Sequence, residues 1–187
     1  MENSIADVWE TVASEPVADC RVFKVRRDIS KRERDGETSD FYVIDSPDWV
    51  NIIPLTSNFE VLMIEQYRSG TRSMVLELPG GMVDGEEGPE RAAVRELAEE
   101  TGYTSNSWIK IGISHPNPAI QTNAVHFYLA LDCEKTAEPE FDPNKSILTR
   151  NVSVDDVDQL IASGKITHAL IVAAFHYYQI YRARKHR

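Results

Sequence analysis

At 187 residues the chain is one domain with room for a small extension, long enough to bury a substantial core. Its 20 Lys and Arg against 30 Asp and Glu give a formal net charge of -10, which argues against the basic footprint of a nucleic-acid binder. Cys20 and Cys133 make neither a disulfide framework nor a metal or redox spacing, the start MENSIADVWE has no apolar run, and no stretch reaches transmembrane length. A cytoplasmic protein with no membrane and no nucleic-acid partner is expected.

In chain order, Ile5, Val8, Trp9 and Val12 follow helical spacing and predict a short helix before Pro16. Residues 20 to 27 read as a strand around Val22, Phe23 and Val25, Asp35-Gly36 as a hairpin turn, and Asp40 to Asp45 as the returning strand. The basic run from Arg26 to Arg34, interrupted by acids such as Glu33, reads as a solvated hairpin tip rather than a phosphate grip. Beyond Pro47, WVNIIPL and FEVLMIEQYR supply two β-rich runs joined at Ser57-Asn58, and VLELP a third.

After the loop glycines Gly80 and Gly81 a helix is predicted from near Pro89, since proline fits a first turn and Ala, Glu, Arg and Leu follow; Gly102 ends it. WIKIGIS alternates as a strand, and Asn117, Gln121 and Asn123 then crowd a loop before VHFYLAL, where buried polar groups need partners. His115 and His126 flank that loop without zinc-ligand spacing, so both are expected to pack. Ser153 with Asp156 is a capping signature for a helix up to Gly164, and a mostly apolar helix follows from about Thr167, its basic tail suited to a helix C-terminus.

The chemistry concentrates in LELPGGMVDGEEGPERAAVRELAEETGY. Glu96, Glu99 and Glu100 stand three and four residues apart, so their carboxylates share one helix face and repel one another. A hard divalent cation such as Mg²⁺, which takes oxygen ligands together with substrate phosphates, answers that repulsion. Arg95 alone does not, and is suited to orienting Glu99, its i+4 neighbour. The bland alternative is a solvated acidic helix.

Gly81, Glu87, Arg95, Glu96, Leu97, Glu99, Glu100, Gly102 and Tyr103 satisfy G-x5-E-x7-R-E-U-x-E-E-x-G-U, with U a bulky apolar residue; chance gives this about once in 10⁹ start positions. The pattern resembles the Nudix box. The resemblance implies an α/β Nudix fold, a mixed sheet between helices, and hydrolysis of a nucleoside diphosphate derivative with bound Mg²⁺ or Mn²⁺. Carried over by position, the carbonyl of Gly80 with Glu96, Glu99 and Glu100 would hold metal. Glu99, Glu100 and Arg95 would be the catalytic set, with Glu87 a structural member.

The N-terminal strands and the run from IPLT through EQYR to LELPGG look like the ADP-ribose pyrophosphatase branch. That resemblance implies a homodimer built through residues 1–47, a hydrolase domain over 48–187, and a nucleoside diphosphate sugar as substrate. Trp49 would stack on a nucleobase, unless it is core or interface. Arg68 would face phosphate or ribose, and Glu77 matches a recurring family acid. Pro118, 15 residues past Tyr103, matches the mark of this branch, whereas Asn123 stands where the family carries a glutamate, a departure from plain ADP-ribose specificity. The family's water-activating loop acid falls on or near Lys145, leaving Glu99, Glu140 or Asp142 as base. The competing readings are a Nudix hydrolase of a dinucleotide or dinucleoside polyphosphate, and a non-catalytic nucleotide-sugar sensor.

Overall fold

A computed structural model describes residues 7–140 and 147–185. The chain divides into two compact units: the segment up to Pro47 joins His115–Ala124, and Asp48–Ser114 joins the segment from Val125 onward. In the first unit β1 (Trp9–Asp19), β2 (Lys24–Arg32) and β3 (Thr38–Asp45) form an antiparallel sheet in that order. The helix expected over residues 5 to 12 is not formed from Trp9 on. Thr11, Val12 and Val17 are β-branched and suit a pleated strand, and the ladder to β2 supplies the hydrogen bonds. A register shift beside Pro16 accommodates the residue that has no N–H to donate.

The strand expected over residues 20 to 27 begins only at Lys24, because Cys20–Phe23 closes a turn with the Cys20 N–H donating to Phe23 O at 2.9 Å. The second turn falls at Asp35-Gly36, where Gly36 takes φ 77°, a left-handed conformation that glycine adopts without a Cβ clash. Much of the basic run is therefore strand and not hairpin tip. Its guanidiniums face carboxylates: Arg26 meets Asp28 and Asp45, Arg27 meets Glu15 and Asp40, and Arg32 meets Asp35 and Glu37.

The second unit holds β4 (Trp49–Pro54), β5 (Glu60–Arg68), β6 (Ser73–Glu77), β7 (Gly80–Met82), α1 (Pro89–Thr101), β8 (Tyr103–Thr104), β9 (Ser107–Ser114), β10 (Val125–Leu131), β11 (Glu134–Lys135), β12 (Ile147–Ser153), α2 (Val157–Ala162) and α3 (Ala169–Lys185). Its main sheet runs β7-β4-β10-β9, with β4 and β10 parallel and the other pairs antiparallel; β12-β5-β6 form a second antiparallel sheet.

Strand periodicity assigns the two faces of the main sheet. On β10, Val125, Phe127 and Leu129 meet Ile171, Ala174, Phe175 and Tyr178 of α3, while Tyr128 and Ala130 join Val50 and Ile52 against Ala92, Ala93 and Leu97 of α1. This is the mixed sheet between helices that the box implied. Small alanines at the α1 interface let helix and sheet backbones approach, which brings the acidic edge of α1 up to β7.

Among the described residues no helix is long and apolar enough to cross a membrane. Cys20 is exposed in the β1–β2 turn; Cys133 is buried, and burial pushes its thiol up to about 12.

Candidate active site

Helix α1 starts with Pro89 in its first turn and ends at Gly102, which takes φ 72° and donates its N–H to Ala98 O at 2.8 Å. A Cβ on Gly102 would lie 2.1 Å from Ala137 O, so glycine is required for space as well as for conformation. The N–H groups of Thr136 and Ala137 bond Gly102 O, and that of Glu140 bonds Glu99 O at 2.9 Å. The chain after β11 thus caps carbonyls at the end of α1 that the helix itself leaves unpaired.

The apolar stripe Ala92, Ala93 and Leu97 shares its spacing with Glu96 and Glu100, which are only 6% and 3% exposed. Carboxylates are seldom buried without partners. Glu100 Oε2 accepts the Gly80 N–H at 3.0 Å, tying the end of α1 to the box strand. A Cβ on Gly81 would stand 2.1 Å from Glu96 Oε1 and one on Gly80 would stand 2.2 Å from Val50 O. The paired glycines therefore clear room for the Glu96 carboxylate on one side and for the β4 backbone on the other.

Arg95 reaches further than the i+4 contact to Glu99 that sequence spacing suggested. Its Nη1 donates to Glu96 Oε1 at 2.8 Å and Glu99 Oε2 at 3.1 Å, while Nη2 donates to Glu87 Oε1 at 2.6 Å and to the Met82 carbonyl at 3.0 Å. The Arg95 hydrogen bonds hold the Glu87 carboxyl below the usual carboxylate range, helped by the Asp84 N–H. In return Glu87, then Glu96, make the Arg95 guanidinium still harder to deprotonate. One cation thus answers Glu87, Glu96 and Glu99.

Among the described residues no three His, Cys, Asp or Glu side chains are already gathered as a metal cluster. The donor chemistry nonetheless fits a hard dication, since Gly80, Glu96, Glu99 and Glu100 offer only oxygen. Glu99 is the most accessible of these carboxylates, its side chain 44% exposed, and its release from Arg95 is the adjustment that would complete such a set.

Arg68 Nε and Nη2 grip the Glu77 carboxylate at 2.9 and 2.5 Å, a two-bond fork onto a side chain that is 2% exposed. Glu77, and at longer range Glu100, stabilise the Arg68 charge, so this pair stands in the field of the box. Trp49 pairs with Met82 of β7 along the backbone, yet its ring packs against the Phe127 core.

Pro118 and Asn123 belong to the other compact unit. Pro118 is exposed in a turn where Asn117 O accepts the Ile120 and Gln121 N–H groups, and Asn123 is buried with both amide atoms unpartnered. Glu140 is exposed, and Asp142 and Lys145 lie outside the described residues.

Sequence reasoning missed a polar chain in which Lys110 Nζ meets His126 Nδ1 at 3.0 Å and His126 Nε2 meets Asp48 Oδ2 at 2.8 Å. Its members come from β9, β10 and the residue preceding β4, so no local spacing announces them. His126 does pack, as expected, but with two polar partners.

The NUDIX domain model matches residues 46–175. Over 149 residues the chain is 29% identical to the ADP-ribose pyrophosphatase of Bacillus subtilis, covering 79% of this chain and 80% of that one. It is 27% identical over 179 residues to the methanol dehydrogenase activator of Bacillus methanolicus, covering 95% and 96%, and 26% identical over 167 residues to the ADP-ribose pyrophosphatase of Mycobacterium tuberculosis, covering 88% and 80%. A crystal structure of an ADP compounds hydrolase superposes with a TM-score of 0.84 at 20% identity over 95% of each chain, a likeness of fold. The chain belongs to the Nudix family and is a Nudix hydrolase of the branch that includes the ADP-ribose pyrophosphatases.

Proposed function

We propose that this protein hydrolyses the pyrophosphate bond of a nucleoside diphosphate sugar, ADP-ribose-like, to a nucleoside monophosphate and a sugar phosphate. The observation that carries the reading is that Glu100 and Glu96 of α1 meet the Gly80-Gly81 strand, while Arg95 bridges Glu96 to Glu99 on the same helix. The names of the two pyrophosphatase relatives support the substrate class.

Gly80 O, Glu96, Glu99 and Glu100 are the residues that would hold Mg²⁺, or Mn²⁺ in its place. When bound, the metal offsets pyrophosphate charge and lowers the pKa of a water. Glu99, half-buried and bonded by one Arg95 nitrogen, is assigned the proton from the attacking water as oxygen bonds phosphorus and the bridging P–O bond breaks. Arg95 keeps Glu96 and Glu99 apart at fixed positions. Arg68, braced by Glu77, is assigned to the phosphates or ribose. A second reading, hydrolysis of a dinucleotide or dinucleoside polyphosphate, is favoured by Asn123, a neutral amide where the branch carries an acid.

Phosphate release over a panel of nucleoside diphosphate derivatives, with Mg²⁺ and a coupled phosphatase, tests all of this. ADP-ribose-like compounds are expected to lead; a preference for dinucleotides selects the second reading, and binding without release by any of them selects a sensor.

Homodimerisation belongs to the same proposal. The first unit exposes Val8, Val12, Val17, Phe41 and Tyr42, apolar surface that a second copy would cover. Light scattering should return twice 21.2 kDa; a monomer at micromolar concentration excludes it. Two unpaired cysteines support a reducing compartment, the cytoplasm.

A further inference from the structure

The Lys110–His126–Asp48 chain runs across the main sheet towards the box. An ammonium has only protons to give, so Nδ1 of His126 must accept from Lys110, and Nε2 is left as the donor to Asp48. Lys110 thereby selects the neutral Nε2–H tautomer of a buried side chain. Strand register places His126 beside Val50 and Lys110 beside Tyr128, on the face that α1 covers. Sheet order continues from β9 through β10 and β4 to β7, the box strand.

The last link is a single peptide plane. The Asp48 carbonyl accepts the Val83 N–H at 2.8 Å, and the other end of that same peptide group, the Met82 carbonyl, accepts from Arg95 Nη2 at 3.0 Å. Because a peptide is rigid and trans, pinning its N–H fixes where its C=O points. A rotation that released Asp48 would also withdraw the acceptor from Arg95.

We propose that His126, held in the Nε2–H tautomer by Lys110, is a positioning residue for Arg95: it fixes Asp48, which fixes the Met82–Val83 peptide on which the guanidinium docks. Only the predicted effect on turnover rests on the hydrolase reading. The chain acts at a distance from the reacting atoms, and its product is a settled Arg95.

The test uses the full chain, ¹⁵N-labelled, as wild type, H126L, H126Q and K110M. In the wild type at neutral pH, His126 should show an unprotonated Nδ1 and a protonated Nε2, a slowly exchanging Val83 amide and a resolved Arg95 Nε–H. H126L should speed Val83 exchange roughly 10-fold or more and broaden the Arg95 signal. Its kcat should fall roughly 10-fold at unchanged KM, less than the about 10²-fold that an ångström of misplacement costs. H126Q, which keeps an N–H for Asp48, should recover most of both; a merely structural histidine predicts no such recovery. If H126L does not fold, K110M decides, because loss of the Nδ1 donor should mix the tautomers and loosen Val83. A wild-type His126 with Nδ1 protonated, or an unchanged Val83 and Arg95 in folded H126L or K110M, overturns the proposal. The magnetic-resonance readouts hold whether or not any substrate is turned over, so failure of the hydrolase reading is seen separately.

Discussion

In the N-terminal sheet Arg26 sits between Asp28 and Asp45 and Arg27 between Glu15 and Asp40, whereas beside β7 a single guanidinium, Arg95, serves Glu87, Glu96 and Glu99. Both regions hold more acid than base. They differ in who carries the surplus. The outer partners in the sheet are open to water, with the Glu15 side chain 58% and the Glu37 side chain 64% exposed, so solvent screens what the arginines leave over. At the box Glu96 and Glu100 are buried, and an excess of negative charge there has no such outlet. The same residue types are therefore paired and screened by solvent in one unit, and held against buried carboxylates in the other.

The contrast is tested most severely by neutralising a box acid. Glu99→Gln should lower kcat by about 10²- to 10⁴-fold with the circular dichroism spectrum retained, and a variant within a few-fold of wild type breaks the assignment. Gly81→Ala comes next, since its methyl group meets the Glu96 carboxylate; about 10²-fold loss of turnover is expected, with metal affinity by calorimetry falling in parallel.

Arg95→Ala removes the cation that bonds Glu87, Glu96 and Glu99 and should destabilise the fold by about 1.5–3 kcal/mol, the scale of hydrogen bonds to charged groups, in chemical denaturation. Added Mg²⁺ should raise the melting temperature of that variant more than that of the wild type; an equal rise means that Arg95 and metal do not answer the same charge. A smaller effect concerns pH. The folded-state pKa of Glu87 lies below its ordinary 4.5, so its contribution is present above about pH 4.5 and is lost as pH falls through the folded value. Acid titration of unfolding should show that loss in the wild type and not in Arg95→Ala. Arg27→Ala, in the solvated sheet, should leave melting temperature and turnover unchanged, and a fall matching Arg95→Ala would erase the distinction between the regions.

The box was legible because Pro89 and Gly102 punctuate it with backbone constraints that no other residue types supply, and because glutamates at three- and four-residue spacing are placed by helical geometry alone. Glu77 and Arg68 were each visible, but not as a fork: their pairing needs the β5–β6 ladder. Arg95's hold on Glu87 and Met82 was equally hidden, since the loop between β7 and α1 brings them back. The first strand was misread for another reason. Ile5, Val8, Trp9 and Val12 satisfy a helical period over a window too short to exclude alternation, and the partner strand settles the matter.

The two thiols have unequal fates that are convenient experimentally. Cys133 is shut inside the core and kept protonated to about pH 12, while Cys20 stands open at a hairpin bend of the N-terminal unit. A maleimide dye added to the native protein should therefore attach at one site without any engineering, far in sequence from the box. Mixing donor- and acceptor-labelled batches would then test the proposed homodimer by energy transfer, which a monomer would not give.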